Sequence, residues 1–168
     1  MEYTEYRPGR LILGNIPHGG ELFESIAALC RAATVRAAVF SVAGVVSSFT
    51  IGAYDPGQQV YVTARESASR EIASCSGSVS FRNGEADISA HIVLADDQGA
   101  VTGGRLFSET RIFSGEIHLW EWTGPPPMRE YDAATGRMQW RFHREQRPTA
   151  PPGNEHTRMN RINHSDGM

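Results

Sequence analysis

The sequence predicts an α+β domain: a mostly antiparallel β-sheet with one main helix, a C-terminal β-hairpin and a polar tail. Three observations predict it. A single stretch, residues 20–33, repeats its apolar residues at helical spacing. Around it lie many short, β-branched stretches separated by glycine-rich turns. After Pro125-Pro126-Pro127 only one further pair of such stretches occurs, and beyond it the apolar pattern stops.

Taken in order, Leu11-Ile12-Leu13 predicts a strand, and Arg7-Pro8-Gly9-Arg10 a turn leading into it. Leu22, Ile26, Leu29 and Ala33 form the apolar stripe of the helix, with Glu21 and Glu24 where the N-terminal dipole favours acids. Strands follow at 37–42, 45–51, 58–64, 72–80, 86–95, 104–113 and 116–122. Asp55-Pro56-Gly57, Asn83-Gly84 and Asp96-Asp97-Gln98-Gly99 mark turns between them. Residues 1–124 form the domain, and 125–147 hold the Pro-rich linker and a hairpin, Met128–Asp132 and Arg137–Phe142 around Ala134-Thr135-Gly136. Residues 148–168, rich in Pro, Gly, Asn and His, are expected to be disordered.

Composition excludes several classes. No apolar run nears the ~20 residues of a membrane span, and the acidic, polar N-terminus is unlike a signal peptide, so a cytoplasmic protein is expected. Cys30 and Cys75 suit buried thiols in a reducing compartment. All sixteen basic residues are arginine, which suggests a GC-rich genome. Residues 1–124 carry nine Arg against fourteen Asp and Glu, a net −5, and no basic run of the kind phosphate-backbone binding needs. Nucleic acid is therefore not the expected partner.

The chemistry-bearing residues sit on strand faces. In 86–95 the residues Ala86, Ile88, Ala90, Ile92 and Leu94 face one way, and Asp87, Ser89, His91 and Val93 the other. On that second face successive side chains stand ~7 Å apart. In 104–113, Arg105, Glu109 and Arg111 share a face interrupted by Phe107; in 116–122, Glu116, His118, Trp120 and Trp122 share another. Ser89, His91 and Asp87 stand side by side along one strand, which denies them the nucleophile–base–orienter geometry of a triad. Trp120, Trp122, Tyr131 and Trp140 either line an aromatic pocket or clamp the hairpin to the domain; packing is the favoured reading.

The ordered series of a Gly-Glu-opened helix, Ala-Val-Phe-Ser-Val-Ala-Gly, Ile-Gly-Ala-Tyr54-Asp, Glu71-Ile…Gly77, Asn83-Gly84, His91-Ile-Val-Leu-Ala-Asp and Thr102-Gly103-Gly104-Arg105-Leu106 resembles the plants-and-prokaryotes-conserved (PPC) domain over residues 8–123. The resemblance implies an antiparallel α/β fold and a homotrimer with clefts between subunits. It also implies a divalent-metal site built from His-x-His on one strand and Gly-Gly-His on the next. Here those three positions read Ser89, His91 and Arg105. Arginine cannot ligate and adds a fixed positive charge. No metal and no cofactor are therefore expected.

Two readings of the three positions stay open. In one they are a reworked pocket, with His91 as acid or base, Ser89 as its hydrogen-bonding partner and Arg105 as an anion clamp, substrate contacts coming from Asp87, Glu109, Tyr54 and Trp120. In the other they are a decayed metal site at a subunit contact. The first gives a metal-independent, lyase- or hydrolase-like enzyme acting on a small organic acid in a bacterial pathway. The alternative of another class is a DNA-associated or regulatory scaffold without catalysis. His156 and His164, in the tail, are expected to be solvated.

Overall fold

The computed structural model describes residues 3–142. The elements run β1 (Arg7–Ile16), α1 (Leu22–Ala33), β2 (Ala38–Asp55), β3 (Val60–Glu66), β4 (Arg70–Arg82), β5 (Glu85–Ala95), β6 (Val101–Leu106), β7 (Arg111–Thr123), β8 (Met128–Asp132) and β9 (Arg137–Arg141). β1 to β7 form one seven-stranded antiparallel sheet in the order β1-β7-β2-β4-β5-β6, with β3 beside β2; β8 and β9 form a separate hairpin. The expected tail, His156, His164 and residues 143–147 lie outside the described residues.

β2 organises the sheet. Its first half pairs with β7 and β4, and its second half with β3 and β6. Because β4, β5 and β6 also pair in series, β2 closes a small cycle with them. Residues 37–42 and 45–51, expected as two strands, are thus one. Gly44 sits between them at φ 133°, where a Cβ would come 2.1 Å from the Ser114 carbonyl oxygen. The backbone kinks there without breaking. The closure requires Gly104, whose Cβ would stand 2.7 Å from the Gly52 carbonyl oxygen. Close strand approach is therefore the reason for the paired glycines.

One face of the sheet carries the core. Leu22, Ile26 and Cys30 of α1 pack there against Phe40, Phe49, Val79, Ile92 and Leu119. The helix is capped by Glu21, whose carboxylate accepts from the Glu24 amide at 2.8 Å, and ends at Thr34 in the left-handed region. Both cysteines are buried, and burial pushes their thiols up to about 11 for Cys30 and about 12 for Cys75. Among the described residues no helix is long and apolar enough to cross a membrane.

Two local expectations are corrected. Residues 104–113 are not one strand: β6 ends at Leu106 and β7 begins at Arg111. Between them the buried Thr110 hydroxyl accepts from the Thr50 amide at 3.1 Å and donates to the Phe107 carbonyl at 3.1 Å, fixing a turn that puts Glu109 at φ 72°. Arg7-Pro8-Gly9-Arg10 is not a turn but the start of β1, irregular between Pro8 and Leu11. Arg10 is held by Glu121 at 2.7 Å and by the Ala33 carbonyl at 2.8 Å.

Candidate functional site

The face opposite the helix is polar toward one edge. Register places a single row across it: Leu13 of β1, His118 of β7, Ser41 of β2, Ser76 of β4, His91 of β5 and Arg105 of β6. Directly opposed side chains on one face have Cβ atoms about 4.5–5.5 Å apart. His91 and Arg105 are such a pair, and Ser89 pairs with Ser78 in the next row. The period-2 reading of β5 therefore holds at this end: Ala90, Ile92 and Leu94 are buried while His91 and Val93 are exposed.

Aromatic rings shape the β6 side. Arg105 lies 5.2 Å over the Tyr61 ring and 5.9 Å over that of Phe107. Tyr61 packs against Phe107 at 5.3 Å and against Tyr54 at 4.9 Å. Phe107 reaches this place because Gly52 beneath it lacks a side chain: a Cβ there would meet the ring at 2.8 Å.

The hairpin closes over the other side. The Tyr54 hydroxyl donates to the Thr135 carbonyl at 2.5 Å, fastening the β8–β9 turn to the end of β2. Asp132 organises that turn, accepting from the Thr135 hydroxyl at 2.7 Å and the Gln139 amide at 3.0 Å. Arg129, its side chain only 10% exposed, donates to Ser78 and Ser80 at 2.7 Å each and stands 3.6 Å from the Asp87 carboxylate. Trp140 packs on Trp122 at 5.9 Å, with Arg129 5.4 Å over its ring. The aromatic clamp expected from the sequence thus exists through Trp122 and Trp140, whereas Tyr131 is exposed.

The hairpin brings one more cation. Arg137 lies 5.3 Å over Tyr54 and 5.9 Å over Tyr61. His91 feels the result: partial burial first, then Arg105 and Arg137, hold its pKa below the usual 6.5. Its imidazole is therefore neutral at neutral pH. Arg105 and Arg137 have no carboxylate partner among the described residues. The Tyr61 hydroxyl and the Trp140 indole nitrogen are buried without hydrogen-bond partners among the described residues.

The residues expected to act together divide clearly. Ser89, His91, Arg105 and Tyr54 share the outer face around Tyr61 and the hairpin. Asp87 is committed to Arg129 and Arg82, each at 3.6 Å, and is a tether for the hairpin. Glu109 is turned away, paired with Arg65 at 2.7 Å in the turn that interrupts the expected strand. Trp120 is on the same face, but in β7, separated from Ser89 by β2 and β4. At about 4.8 Å per strand it stands roughly 14 Å off, out of reach within one protomer. Arg129, Arg137 and Tyr61 were not singled out from the sequence; their signal, arginines flanking a Thr-Gly turn, acquires meaning only once the hairpin is folded back. A cavity of about 600 Å³ between α1 and the β4–β5 turn lies on the helix side and contains none of these residues.

A divalent metal does not fit here. Among the described residues no three His, Cys, Asp or Glu side chains converge as ligands. The position beside His91 is filled by a guanidinium, which repels a cation.

The metal-containing protein of Archaeoglobus fulgidus matches with a TM-score of 0.80 at 32% identity, covering 84% of this chain and 100% of its own. A plant- and prokaryote-conserved protein of Pyrococcus horikoshii matches with a TM-score of 0.78 at 28% identity, covering 85% of this chain and 99% of its own. A Bacteroides thetaiotaomicron protein, described provisionally as DNA-binding, shares the fold with a TM-score of 0.73 at 18% identity, covering 82% of this chain and 97% of its own. No curated protein matches the chain. The family model that matches residues 3–123 is that of the Plants and Prokaryotes Conserved (PCC) domain, and the chain belongs to that family.

Proposed function

We propose that the chain binds a small organic acid at the Ser89/His91/Arg105 face and carries out metal-independent acid–base chemistry on it, as a cytoplasmic homotrimer whose clefts complete the site. One observation carries the reading: a guanidinium without a carboxylate partner among the described residues stands directly across from a neutral imidazole. Arg105 offers a planar fork of donors suited to a carboxylate. His91, neutral and exposed, takes a proton from the bound acid or returns one to it. Ser89 lies one residue pair along the same strand face and supplies a hydroxyl to the ligand.

Ligand identification by native mass spectrometry, followed by two variants, tests this. Arg105→Ala weakens binding of the acid by about 2–5 kcal/mol, the range for removing one partner of a buried charge pair. His91→Ala retains binding and slows turnover by about 10²–10⁴-fold. Full activity in both variants would place the site elsewhere.

The DNA-associated reading draws on the provisional description of the Bacteroides thetaiotaomicron protein. The net −5 of residues 1–124 weighs against it. A binding constant for nonspecific duplex DNA that falls steeply between 50 and 200 mM salt, as about six to ten phosphate contacts would produce, would favour it.

A further inference from the structure

We infer that the β8–β9 hairpin supplies a second guanidinium, Arg137, to the anion site, so that the ligand is a dianion: a short dicarboxylate or a phosphate monoester. This rests on the organic-acid reading and narrows its ligand class. Arg105 comes from the sheet and Arg137 from the hairpin, yet both lie over the one Tyr61 ring, at 5.2 and 5.9 Å. Neither is neutralised among the described residues. Arg129, the third arginine of the cluster, shows the contrast: it is nearly buried, faces Asp87 and spends donors on Ser78 and Ser80. The fold therefore neutralises the arginine that fastens the hairpin and leaves uncompensated the two that flank His91.

Two like charges held together on a partly desolvated surface repel, and a bound counter-charge relieves the repulsion. A monocarboxylate matches one fork and leaves the other unpaired. A dianion satisfies both.

The full chain is titrated calorimetrically with acetate, malonate and inorganic phosphate at pH 7.5, and the His91 ring signal is followed by NMR to report the site. Malonate or phosphate is expected to bind at least about tenfold more tightly than acetate, and whichever is stronger assigns the dicarboxylate or the phosphate class. Arg137→Gln is expected to bring the dianion constant down to that of acetate. Arg105→Gln is expected to abolish the His91 response to all three. Arg31→Gln, on the exposed face of α1, is the control and leaves the dianion constant unchanged. Circular dichroism confirms that each variant is folded. If acetate binds as well as the dianions, or if Arg137→Gln has no effect while Arg105→Gln abolishes binding, the dianion inference falls and the organic-acid reading stands. If Arg105→Gln changes nothing, or if no probe binds at 20 mM, both fall.

Discussion

His91 stands against two guanidiniums, and its proton feels both. Partial burial already disfavours the imidazolium, and Arg105 and Arg137 add repulsion. The folded state therefore gives up this proton at lower pH than the unfolded chain, whose value is near ~6.5. Below that value the unfolded state binds more protons, so this residue costs the fold stability as pH falls, and the loss is complete below the folded pKa. An NMR titration of the ring is expected to show a midpoint under 6.5, and Arg105→Ala is expected to move it upward. A midpoint at or above the ordinary value in the wild type would remove the neutral imidazole on which the proton-transfer role depends. The pairing behind this was legible through the family resemblance, which sets Arg105 on the strand next to His91; alternation in 86–95 by itself gave only the polar face that His91 occupies. Arg137 was not legible, because nothing local to residues 132–137 says which surface the turn lands on.

The hairpin is held by a few specific contacts, and its turn is the most sensitive of them. Gly136 adopts φ 67°, and a Cβ there would stand 2.6 Å from the Tyr54 hydroxyl and 2.9 Å from Gln59 Cβ. Gly136→Ala therefore combines left-handed strain, about 1–2 kcal/mol for a residue with a Cβ, with a clash at the docking bond. The cost is limited by how firmly the hairpin is docked, since undocking relieves the clash. Hydrogen exchange is expected to quicken about 5- to 30-fold at residues 128–141, the factor that such an energy implies. Exchange in β2, β4 and β7 should be unchanged. Equal acceleration in the core strands would mean the hairpin is part of the central folding unit. The two strands and their Thr-Gly turn were readable from alternation and turn chemistry. The expected strand at 104–113 failed for a physical reason: Ser108-Glu109-Thr110-Arg111 is an unbroken polar run, and within it the Thr110 hydroxyl captures backbone groups from β2 and the end of β6. The polar run marks the break in alternation, but which backbone groups the hydroxyl takes is set by the fold.

At the scale of the molecule the outer face has two halves, one cationic around Arg105 and one apolar around β1 and β7. The cationic half bears on metal content: with Ser89 and Arg105 beside His91, purified protein is expected to hold no stoichiometric zinc, and metal analysis finding about one zinc per chain would refute this. The apolar half bears on assembly. Leu11, 57% exposed, is paired across β1–β7 with Trp120, 43% exposed, and Leu13, 66% exposed, is paired with His118. Large side chains placed together on one exposed sheet face mark an interaction surface more often than an ordinary solvated one. A second copy of the chain is a natural cover, because a closed ring removes the same patch from every subunit. Light scattering is expected to give three times the 18.5 kDa chain mass. Leu13→Glu puts a charge into the middle of the patch, where burial without a partner is costly, and should shift the mass toward that of one chain. Because Leu13 projects from the far end of the row that ends at Arg105, this variant also separates two locations for the ligand. If the site is completed by a neighbouring subunit, the monomeric variant loses affinity although Arg105, His91 and Arg137 are intact. If affinity survives in the monomer, the hairpin and sheet of a single chain suffice. A wild-type protein that stays monomeric at micromolar concentration would refute the trimer and the shared cleft together.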